Sequence, residues 1–394
     1  MNVQLIEVNN TQLGIDFCEV NAQLQSQNPN YIRPINQEVI DVFDPNKNKQ
    51  FAHGTAKRWL LKTNGKYIGR IAAFTTSKYV NKGTDFKVGG MGFFDCIDDQ
   101  EAANILLDTA IEWLKSQGME AVDGPINFGD RDKWWGLMVN GFHKPPMYGM
   151  SFNPPYYQAL LENYGFKCYY NHFYYSMDVD ATMPEKIRER YKRFLNKPDY
   201  TAKHIEKGDI VKYAQHFAKV YNAAWAQHGE AKEISVEQAE KMFKKMKPII
   251  DERMVWFAYY KDEPIAMFIN IPDLNEYFRH FNGKFGWWQK LRFLYMQKTG
   301  ACKRVTGLAF GVVPKFQALG IDSFIIQSVA NFIQNKGWYT EYEMGWAADW
   351  NPKMLNIYRA IGGAESRHMK TYRYIFDTTK HPFEPHPVME YKVG

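Results

Sequence analysis

The sequence predicts an α+β fold built from two similar units that follow one another along the chain. Three observations support this prediction. Apolar residues make up 45% and charged residues 23% of the 394 residues, a composition typical of globular proteins of a length that suits two domains. Strand patterns alternate with helix patterns along the chain. The order of these patterns in the first half recurs in the second half.

In the first half, a hairpin and a third strand lead into a helix. The strands "AKRWLLKT" and "YIGRIAAF" flank the turn "NGK" and predict the hairpin, and the glycine-containing strand "VGGMGFFDCI" follows. The segment "DDQEAANILLDTAIEWLKSQG" has its apolar residues on one helical face, Asp98 and Asp99 at its start and Gly118 at its end. The stretch "EAVDGPI" then predicts another strand.

The second half repeats this order. "RMVWFAYYKDEPIAMFINI" predicts a hairpin, "GLAFGVV" a strand, "SFIIQSVANFIQNKG" a helix that ends at Gly337, and "YTEYEMGW" the next strand. The segment between the halves, "DVDATMPEKIRERYKRFLNKPDYTAKHI", has a charged helical middle. We therefore place the domain boundary near residues 180–200, which gives an N-terminal domain of residues 1–185 and a C-terminal domain of residues 200–394.

Charge and cysteine content narrow the class of protein. The net charge of +6 suits an acidic ligand such as a nucleotide phosphate but is too small to predict nucleic-acid binding. Four cysteines are widely scattered, without a CxxC or a Cys/His cluster, so we expect neither a metal site nor a disulfide framework. The sequence shows no basic-then-apolar signal segment and no run of about 18 apolar residues. We expect a cytoplasmic protein with reduced thiols.

The stretch "GVVPKFQALGID", residues 311–322, is the clearest candidate for a ligand-binding loop. It follows an apolar strand and opens an amphipathic helix, so its backbone N–H groups lie at the positive end of the helix dipole. Gly320 permits close approach of a ligand to the backbone. These features favour pyrophosphate binding without a Walker lysine. The alternative is an ordinary connection between a strand and a helix.

This stretch resembles the acyl-CoA-binding motif of the GNAT acetyltransferase superfamily, Q/R-x-x-G-x-G/A, with Asp322 at its last small position. The resemblance implies that the loop and the preceding strand hold acetyl-CoA or another acyl-CoA. An acidic Asp322 either points away from the phosphates or weakens their binding. The predicted cofactor-binding residues are Phe310, Gly311, Val312, Gln317, Ala318, Leu319, Gly320, Ile321, Asp322 and Asn351.

A second motif strengthens the resemblance. Asn351, Tyr358 and Gly362 have the spacing N-x6-Y-x3-G, similar to the last helix of the family. The resemblance implies that Asn351 contacts the cofactor arm and that Tyr358 protonates the CoA thiolate as it leaves. A phenol with a pKa of about 10 suits this role because it stays protonated at neutral pH. The alternative for Tyr358 is a core aromatic residue on a helix.

The first copy of the unit lacks these features. Asp98 and Glu101 stand where the later copy has its glutamine and glycine, and two carboxylates would repel a pyrophosphate. Leu160 or Leu161 stands in place of the tyrosine. Together the halves resemble tandem GNAT proteins, in which each domain is a mixed, mostly antiparallel sheet flanked by helices. The chain also resembles bacterial GNAT-like proteins with a similar "DGPINF…DRDKWWG" stretch.

The resemblance implies an acyl-CoA-dependent N-acyltransferase, in the first instance an acetyltransferase, that moves the acyl group directly to a small-molecule or peptide amine. Two alternatives remain open. One is a Fem-type aminoacyl transferase, which uses charged tRNA and no CoA. The other is a non-catalytic CoA-binding or structural protein.

The acceptor side of the site is less clearly marked. The first copy carries an insertion, "NFGDRDKWWGLMVNGFHKPPMYGM", whose charged and tryptophan residues predict a polar pocket with aromatic walls. The alternative is a self-packed surface loop. The candidate substrate-binding residues are Asp130, Arg131, Trp134 and Trp135. The candidate general bases are Glu343, Asp349 and His280, each with the alternative of a solvated or paired surface group.

Residues 283–300, "GKFGWWQKLRFLYMQKTG", interleave basic and large apolar side chains. As a helix, this stretch predicts contact with a membrane surface or a cover for an acyl chain. The alternative, which we prefer on the sequence alone, is a helical insertion packed on the C-terminal domain.

Overall fold

The computed structural model describes residues 3–79, 83–129, 131–225 and 233–388. The strands are β1 Val3–Glu7, β2 Gly54–Thr63, β3 Lys66–Thr76, β4 Val88–Cys96, β5 Ala121–Gly124, β6 Leu137–Asn140, β7 Lys167–Asp178, β8 Tyr200–His204, β9 Val255–Tyr260, β10 Glu263–Pro272, β11 Arg304–Val312, β12 Glu341–Ala348 and β13 Ala364–Ile375. The helices are α1 Thr11–Leu24, α2 Asn36–Val42, α3 Gln100–Ser116, α4 Tyr157–Tyr164, α5 Glu185–Lys192, α6 Ile210–Trp225, α7 Val236–Met246, α8 Asn275–Phe278, α9 Trp287–Lys298, α10 Ile321–Ile333 and α11 Pro352–Ala360.

The predicted local elements form close to where the sequence places them, except that α10 ends at Ile333, four residues before the predicted end at Gly337. The first hairpin joins β2 and β3 at Asn64 and Gly65, which both have positive φ. Asp99 caps α3 because its side chain accepts a hydrogen bond of 2.9 Å from the N–H of Ala102. Gly118 follows the helix with a φ of 76°, the left-handed conformation typical of a residue that ends a helix.

All thirteen strands of the described residues belong to one sheet, in the order β1-β2-β3-β4-β5-β13-β7-β12-β11-β10-β9-β8, and β6 also pairs with β13. The pairing is antiparallel for all of these strands except β4 with β5 and β11 with β12. This mixed, mostly antiparallel sheet confirms the predicted fold class.

The two halves exchange strands at the centre of the sheet. β13, from the end of the chain, pairs with β5 of the first half, whereas β7 of the first half pairs with β12. β7 and β13 also pair with each other. Each half therefore contributes a strand to the sheet of the other. The domain boundary near residues 180–200 stays a prediction, because strands from both sides of this boundary are hydrogen-bonded in one sheet.

Helices cover both faces of the sheet. In the first half, α3 and α4 belong to one apolar cluster and α1 and α2 to another. In the second half, α5, α10 and α11 cover one face, and α6 and α7 cover the other. Along β9, Trp256 and Ala258 belong to the first of these two clusters and Val255, Phe257 and Tyr259 to the second, as the pleat of a strand requires. The ends of β11 and β12 therefore lie between two layers of helices.

Candidate active site

The parallel strands of the second half separate after a short paired region. β11 and β12 pair only at residues 304–306 and 341–343. Just beyond, the backbones touch, because a Cβ on Gly345 would lie 2.8 Å from the carbonyl oxygen of Gly307. Further on, both strands line a cavity of about 740 Å³. The edge of β11 that faces β12 has no strand partner there within the described sheet, so its backbone groups are available to an extended ligand.

The cavity has mostly apolar walls from both halves of the chain. The second half supplies side chains of α6, α7, β10, β11, β12 and α11, and the insertion and β7 close another side. The lining side chains of α6 and α7 are Phe217, Tyr221, Met242, Phe243 and Met246. Those from the first half are Asp132, Lys133, Met147, Tyr148, Met150 and Tyr174.

The loop between β11 and α10 turns through two residues with left-handed backbone. Ala318 has a φ of 62° and Gly320 a φ of 92°. Gly320 directly precedes α10, a helix of 13 residues. The first N–H groups of a helix have no intrahelical acceptor and carry the positive end of its dipole. The loop therefore has the shape and polarity of an anion-binding turn.

Gln317 braces this loop from within. Its Nε2 donates to the carbonyl of Val312 at 3.0 Å, and its Oε1 accepts from the ammonium of Lys353 at 2.9 Å. Both polar ends of the predicted cofactor-binding glutamine are thus engaged in holding the loop. Lys353, which no sequence motif indicated, brings a positive charge to the same turn.

The other predicted cofactor-binding residues fall into three environments. Phe310 lines the cavity. Gly311 and Val312 continue β11 and pair with β10. Ile321 is fully buried in the core, whereas Leu319 is exposed. Side-chain contact with a ligand is therefore open to Phe310 and Leu319, while the glycines and Ile321 offer backbone groups.

α5 places the base of a second basic side chain beside the loop. A Cβ on Gly320 would lie 3.8 Å from the Cβ of Arg190 and 3.7 Å from the ring of Phe194. Sequence reasoning missed Arg190, although the charged middle of the segment between the halves was its signal. Asp322 lies in the first turn of α10.

Asn351 and Tyr358 both line the cavity. Asn351 is the N-cap of α11, and its Oδ1 accepts from the N–H of Met354 at 3.2 Å. Tyr358 lies two helical turns further on, and its hydroxyl stands 3.8 Å from the position of a Cβ on Gly345. Burial raises the pKa of the Tyr358 phenol above its ordinary value. The hydroxyl therefore holds its proton at neutral pH, beside the point where the strands separate.

The three predicted general bases do not line the cavity. Glu343 is fully buried and pairs with Arg367, so it is not the surface group that the sequence favoured. Asp349 accepts hydrogen bonds from the backbone and side chain of Asn171. His280 follows α8, and burial lowers the pKa of its imidazole.

Asp132 is the one carboxylate among the described residues that line the cavity. Burial raises the pKa of the Tyr174 phenol, the Arg367 guanidinium lowers it, and the Asp132 carboxylate raises it. Tyr174 lines the same cavity as Asp132. The sequence reasoning placed Asp132 in the insertion without selecting it, because nothing in a "DRDKWWG" stretch tells which of its charges points inward.

Two of the four predicted substrate residues, Arg131 and Trp135, belong to an aromatic cage beside the cavity. The guanidinium of Arg131 lies 5.4–5.7 Å from the ring centres of Trp135, Tyr170, Trp346 and Trp350. Trp346 and Trp350 line the cavity, so Arg131 lies behind its wall. Trp134 packs instead on Phe93, with 5.3 Å between ring centres. Asp130 lies outside the described residues.

The equivalent place in the first half is closed. The side chain of Asp99 already accepts from the N-terminus of α3, and β4 stays joined to the segment after β5 because the N–H of Ile126 donates to the carbonyl of Met91 at 2.7 Å. In the first half, the Asp99 carboxylate thus occupies the start of the helix, and the strands stay closed where β11 and β12 separate in the second half.

The sheet contains two parallel strand pairs, β4 with β5, which stays closed, and β11 with β12, which separates. The exchanged strands β7 and β13 join the two halves in one sheet. This arrangement defines a tandem GNAT fold. A tandem GNAT protein from the clavulanic acid biosynthesis pathway matches 95% of this chain and 99% of its own, with a TM-score of 0.54 and 8% identity. A GCN5-related N-acetyltransferase from Sphaerobacter thermophilus matches 94% of this chain and 96% of its own, with a TM-score of 0.50 and 11% identity. These likenesses establish the fold.

Two proteins are similar in sequence along nearly the whole chain. The bacterial ceramide synthase of Caulobacter vibrioides is 27% identical over 365 residues, which are 91% of this chain and 92% of that protein. Protein YghO of Escherichia coli is 24% identical over 366 residues, 90% of this chain and 91% of its own. No family model matches the sequence.

Among the residues that the structure describes, no helix combines the length and the apolar character needed to span a bilayer. No group of three or more His, Cys, Asp or Glu side chains there is arranged to bind a metal ion.

Proposed function

We propose that this protein is an acyl-CoA-dependent N-acyltransferase that joins a long acyl chain to the amino group of a long-chain amine. The observation that carries the proposal is the apolar cavity of about 740 Å³ where β11 and β12 separate, with Tyr358 on its wall. The resemblance of the loop alone favoured acetyl-CoA, but an acetyl group would leave most of this volume unfilled.

The loop before α10 fits the phosphates of CoA. Gly320 turns the backbone with a φ of 92° at the start of α10, and the helix dipole favours an anion there. The ammonium of Lys353 is bonded to Gln317 of this loop, and the side chain of Arg190 begins beside Gly320. The unpaired edge of β11 offers backbone hydrogen bonds to an extended, amide-containing arm. Asp322 is the one unfavourable charge in this set.

The side chains at the cavity wall suit transfer of an acyl group to an amine. Bound acyl-CoA supplies a thioester carbonyl, where the C–N bond forms as the C–S bond breaks. Tyr358 donates its hydroxyl proton to the departing sulfur, and its raised pKa keeps that proton in place until then. Asp132 accepts the proton that the attacking amine loses. No covalent intermediate on the protein is required.

The size and polarity of the cavity select the acyl chain and the acceptor. Pockets of about 300–1,000 Å³ enclose ligands of drug size, and each buried methylene contributes about 0.8 kcal/mol. Methionine and phenylalanine side chains of α6 and α7 supply a surface for such a chain. The name of the relative from Caulobacter vibrioides, a ceramide synthase, fits an acceptor of the long-chain amino alcohol class.

Incubation of the purified chain with sphinganine and palmitoyl-CoA tests the proposal. We expect release of free CoA thiol and formation of the amide, detected by mass spectrometry, and much slower reaction with acetyl-CoA. Met246→Trp, which fills the cavity from α7, should reduce use of palmitoyl-CoA more than use of short acyl-CoA. Equal use of both thioesters by the wild type would contradict the long-chain assignment. Binding of palmitoyl-CoA without amide formation on any amine would favour the non-catalytic alternative.

A further inference from the structure

α9 exposes a large apolar surface that the acyl-transfer proposal does not use. Thirteen large apolar side chains of the described residues are exposed, and five of them lie on this one helix. They are Trp287 at 62%, Trp288 at 68%, Leu291 at 45%, Leu294 at 54% and Tyr295 at 68% exposure. Contiguous exposed patches of this kind mark interaction surfaces, whereas scattered apolar residues do not.

The exposed residues form one continuous face of the helix. At about 100° per residue, the five side chains span an arc of about 120°. Lys298 falls within this arc, and Lys290 and Arg292 fall on its two borders at about 40° beyond either end. An apolar face bordered by cations is the arrangement of a helix that lies in the interface of an anionic bilayer.

The helix is held rigidly from its opposite side. Phe293 is buried, and its ring lies 4.9 Å from that of Tyr277. Gln289 closes the first turn by accepting from the N–H of Gly286. The side chain of Gln297 donates to the carbonyl of Pro248 at 2.9 Å. The exposed face therefore belongs to a formed helix that is anchored on the domain.

The basic residues in the sequence around α9 favour an anionic partner. From Tyr277 to Ile321 the sequence contains no aspartate or glutamate but eight lysines and arginines. Two of these pair with acidic residues just outside the segment, Arg304 with Asp273 in the core and Arg279 with Glu276, whereas Lys290, Arg292 and Lys298 are exposed on α9. Exposed basic residues attract anionic lipid headgroups, at about 1 kcal/mol for each one near the membrane. The exposed pair Trp287 and Trp288, with 4.4 Å between ring centres, adds the residue type that prefers the bilayer interface.

We propose that α9 docks the protein on the surface of an anionic membrane, with the indoles of Trp287 and Trp288 in the headgroup layer. Through Pro248 the helix adjoins Ile249 and Ile250, which line the cavity. Docking therefore brings one wall of the cavity next to the bilayer. The proposal does not depend on catalysis, because it concerns binding to lipid alone.

Flotation of the full chain with vesicles tests this proposal. We expect binding to vesicles of phosphatidylcholine and phosphatidylglycerol in equal parts and at least about tenfold weaker binding to phosphatidylcholine alone. The triple variant Trp287→Ser, Trp288→Ser, Leu291→Ser should lose binding to both. The triple variant Lys290→Glu, Arg292→Glu, Lys298→Glu should lose the preference for the anionic lipid. All six positions are exposed, so both variants should keep the wild-type circular dichroism and melting temperature.

Matched controls carry the same changes elsewhere on the surface. Leu5→Ser with Leu195→Ser removes two exposed leucines, and Lys47→Glu with Lys66→Glu reverses two exposed charges. Both controls should bind vesicles as the wild type does. Equal binding by the α9 variants and the wild type would overturn the proposal. A dimer that the serine variant dissociates, without vesicle binding by the wild type, would overturn it too and assign the face to a second copy of the chain.

Discussion

Glu343 and Arg367 form an ion pair with 2.6 Å between Oε1 and Nη1, and neither side chain is exposed to solvent. Glu343 belongs to β12 and Arg367 to β13, and β7 lies between these two strands in the sheet. The pair therefore spans a strand that came from the other half of the chain. It ties the exchanged strands together at the middle of the sheet.

Glu343→Gln should reduce the free energy of unfolding by about 3–5 kcal/mol, because the Arg367 guanidinium stays buried without its counter-charge. Chemical denaturation measures this loss. The matched control is Glu341→Gln on the same strand, whose partly exposed pair with Lys144 should contribute no more than about 1 kcal/mol. Lost turnover with unchanged stability in Glu343→Gln would restore Glu343 as a candidate general base.

Tyr358→Phe should lower turnover about 10²-fold or more, since it removes the proton donor and leaves the ring in place. Steady-state assays with palmitoyl-CoA measure this, and the KM for the thioester should change little. Tyr175→Phe is the control, because its ring lies 5.7 Å from that of Tyr358 and it does not line the cavity.

The pH dependence of the reaction rate provides a second test of the role of Tyr358. The protonated phenol is the active form and its pKa is raised, so activity that depends on this proton is lost only as pH rises above about 10. A rate that falls on the alkaline side near pH 8 in the wild type and not in Tyr358→Phe would contradict this assignment.

Gly320→Ala should weaken binding of acyl-CoA, measured by calorimetry, because a side chain strains a residue with a φ of 92° and shifts the turn before α10. Gly337→Ala is the matched control. Gly337 also has positive φ, at 64°, and a Cβ there would meet no atom within 4 Å. Both changes should cost about 1 kcal/mol of stability, but only the first should affect the ligand. Equal affinities would remove the turn from the proposed site.

Arg190→Ala should raise the Kd for acyl-CoA about tenfold, which corresponds to about 1.4 kcal/mol, because one cation beside the turn is lost. The effect should shrink at high salt. Arg188→Ala removes an exposed arginine from the same helix and serves as the control. Similar losses in both variants would show a general effect of charge on α5 rather than a contact at the turn.

Separate expression of residues 1–185 and 200–394 should give two chains that fold poorly, because each lacks a strand that the other supplies. Co-expression should recover a complex that elutes together in size-exclusion chromatography. A folded, monomeric fragment 1–185 with dispersed amide resonances would show that the first half is stable without β13.

Local signals predicted the elements. Asn351 and Tyr358 were selected because the spacing N-x6-Y-x3-G resembles the last helix of the GNAT family, and both line the cavity. Arg190 and Asp132 were missed because no repeat or motif fixes which charge of a charged stretch points inward. The exchange of β7 and β13 was not predictable either. Both are strands of 12 residues, and the pattern of apolar residues along a strand indicates which face is buried but not which strand lies alongside.

The position of β13 in the sequence determines when the first half of the sheet can be completed during synthesis. Synthesis proceeds at about 5–20 residues per second. β13, the partner of β5, therefore leaves the ribosome about ten to forty seconds after the first half has been synthesised. During that interval the edge of β5 is unpaired and open to other chains. The first half of the sheet is therefore completed only when β13 arrives, and a stop codon before β13 would leave β5 without this partner.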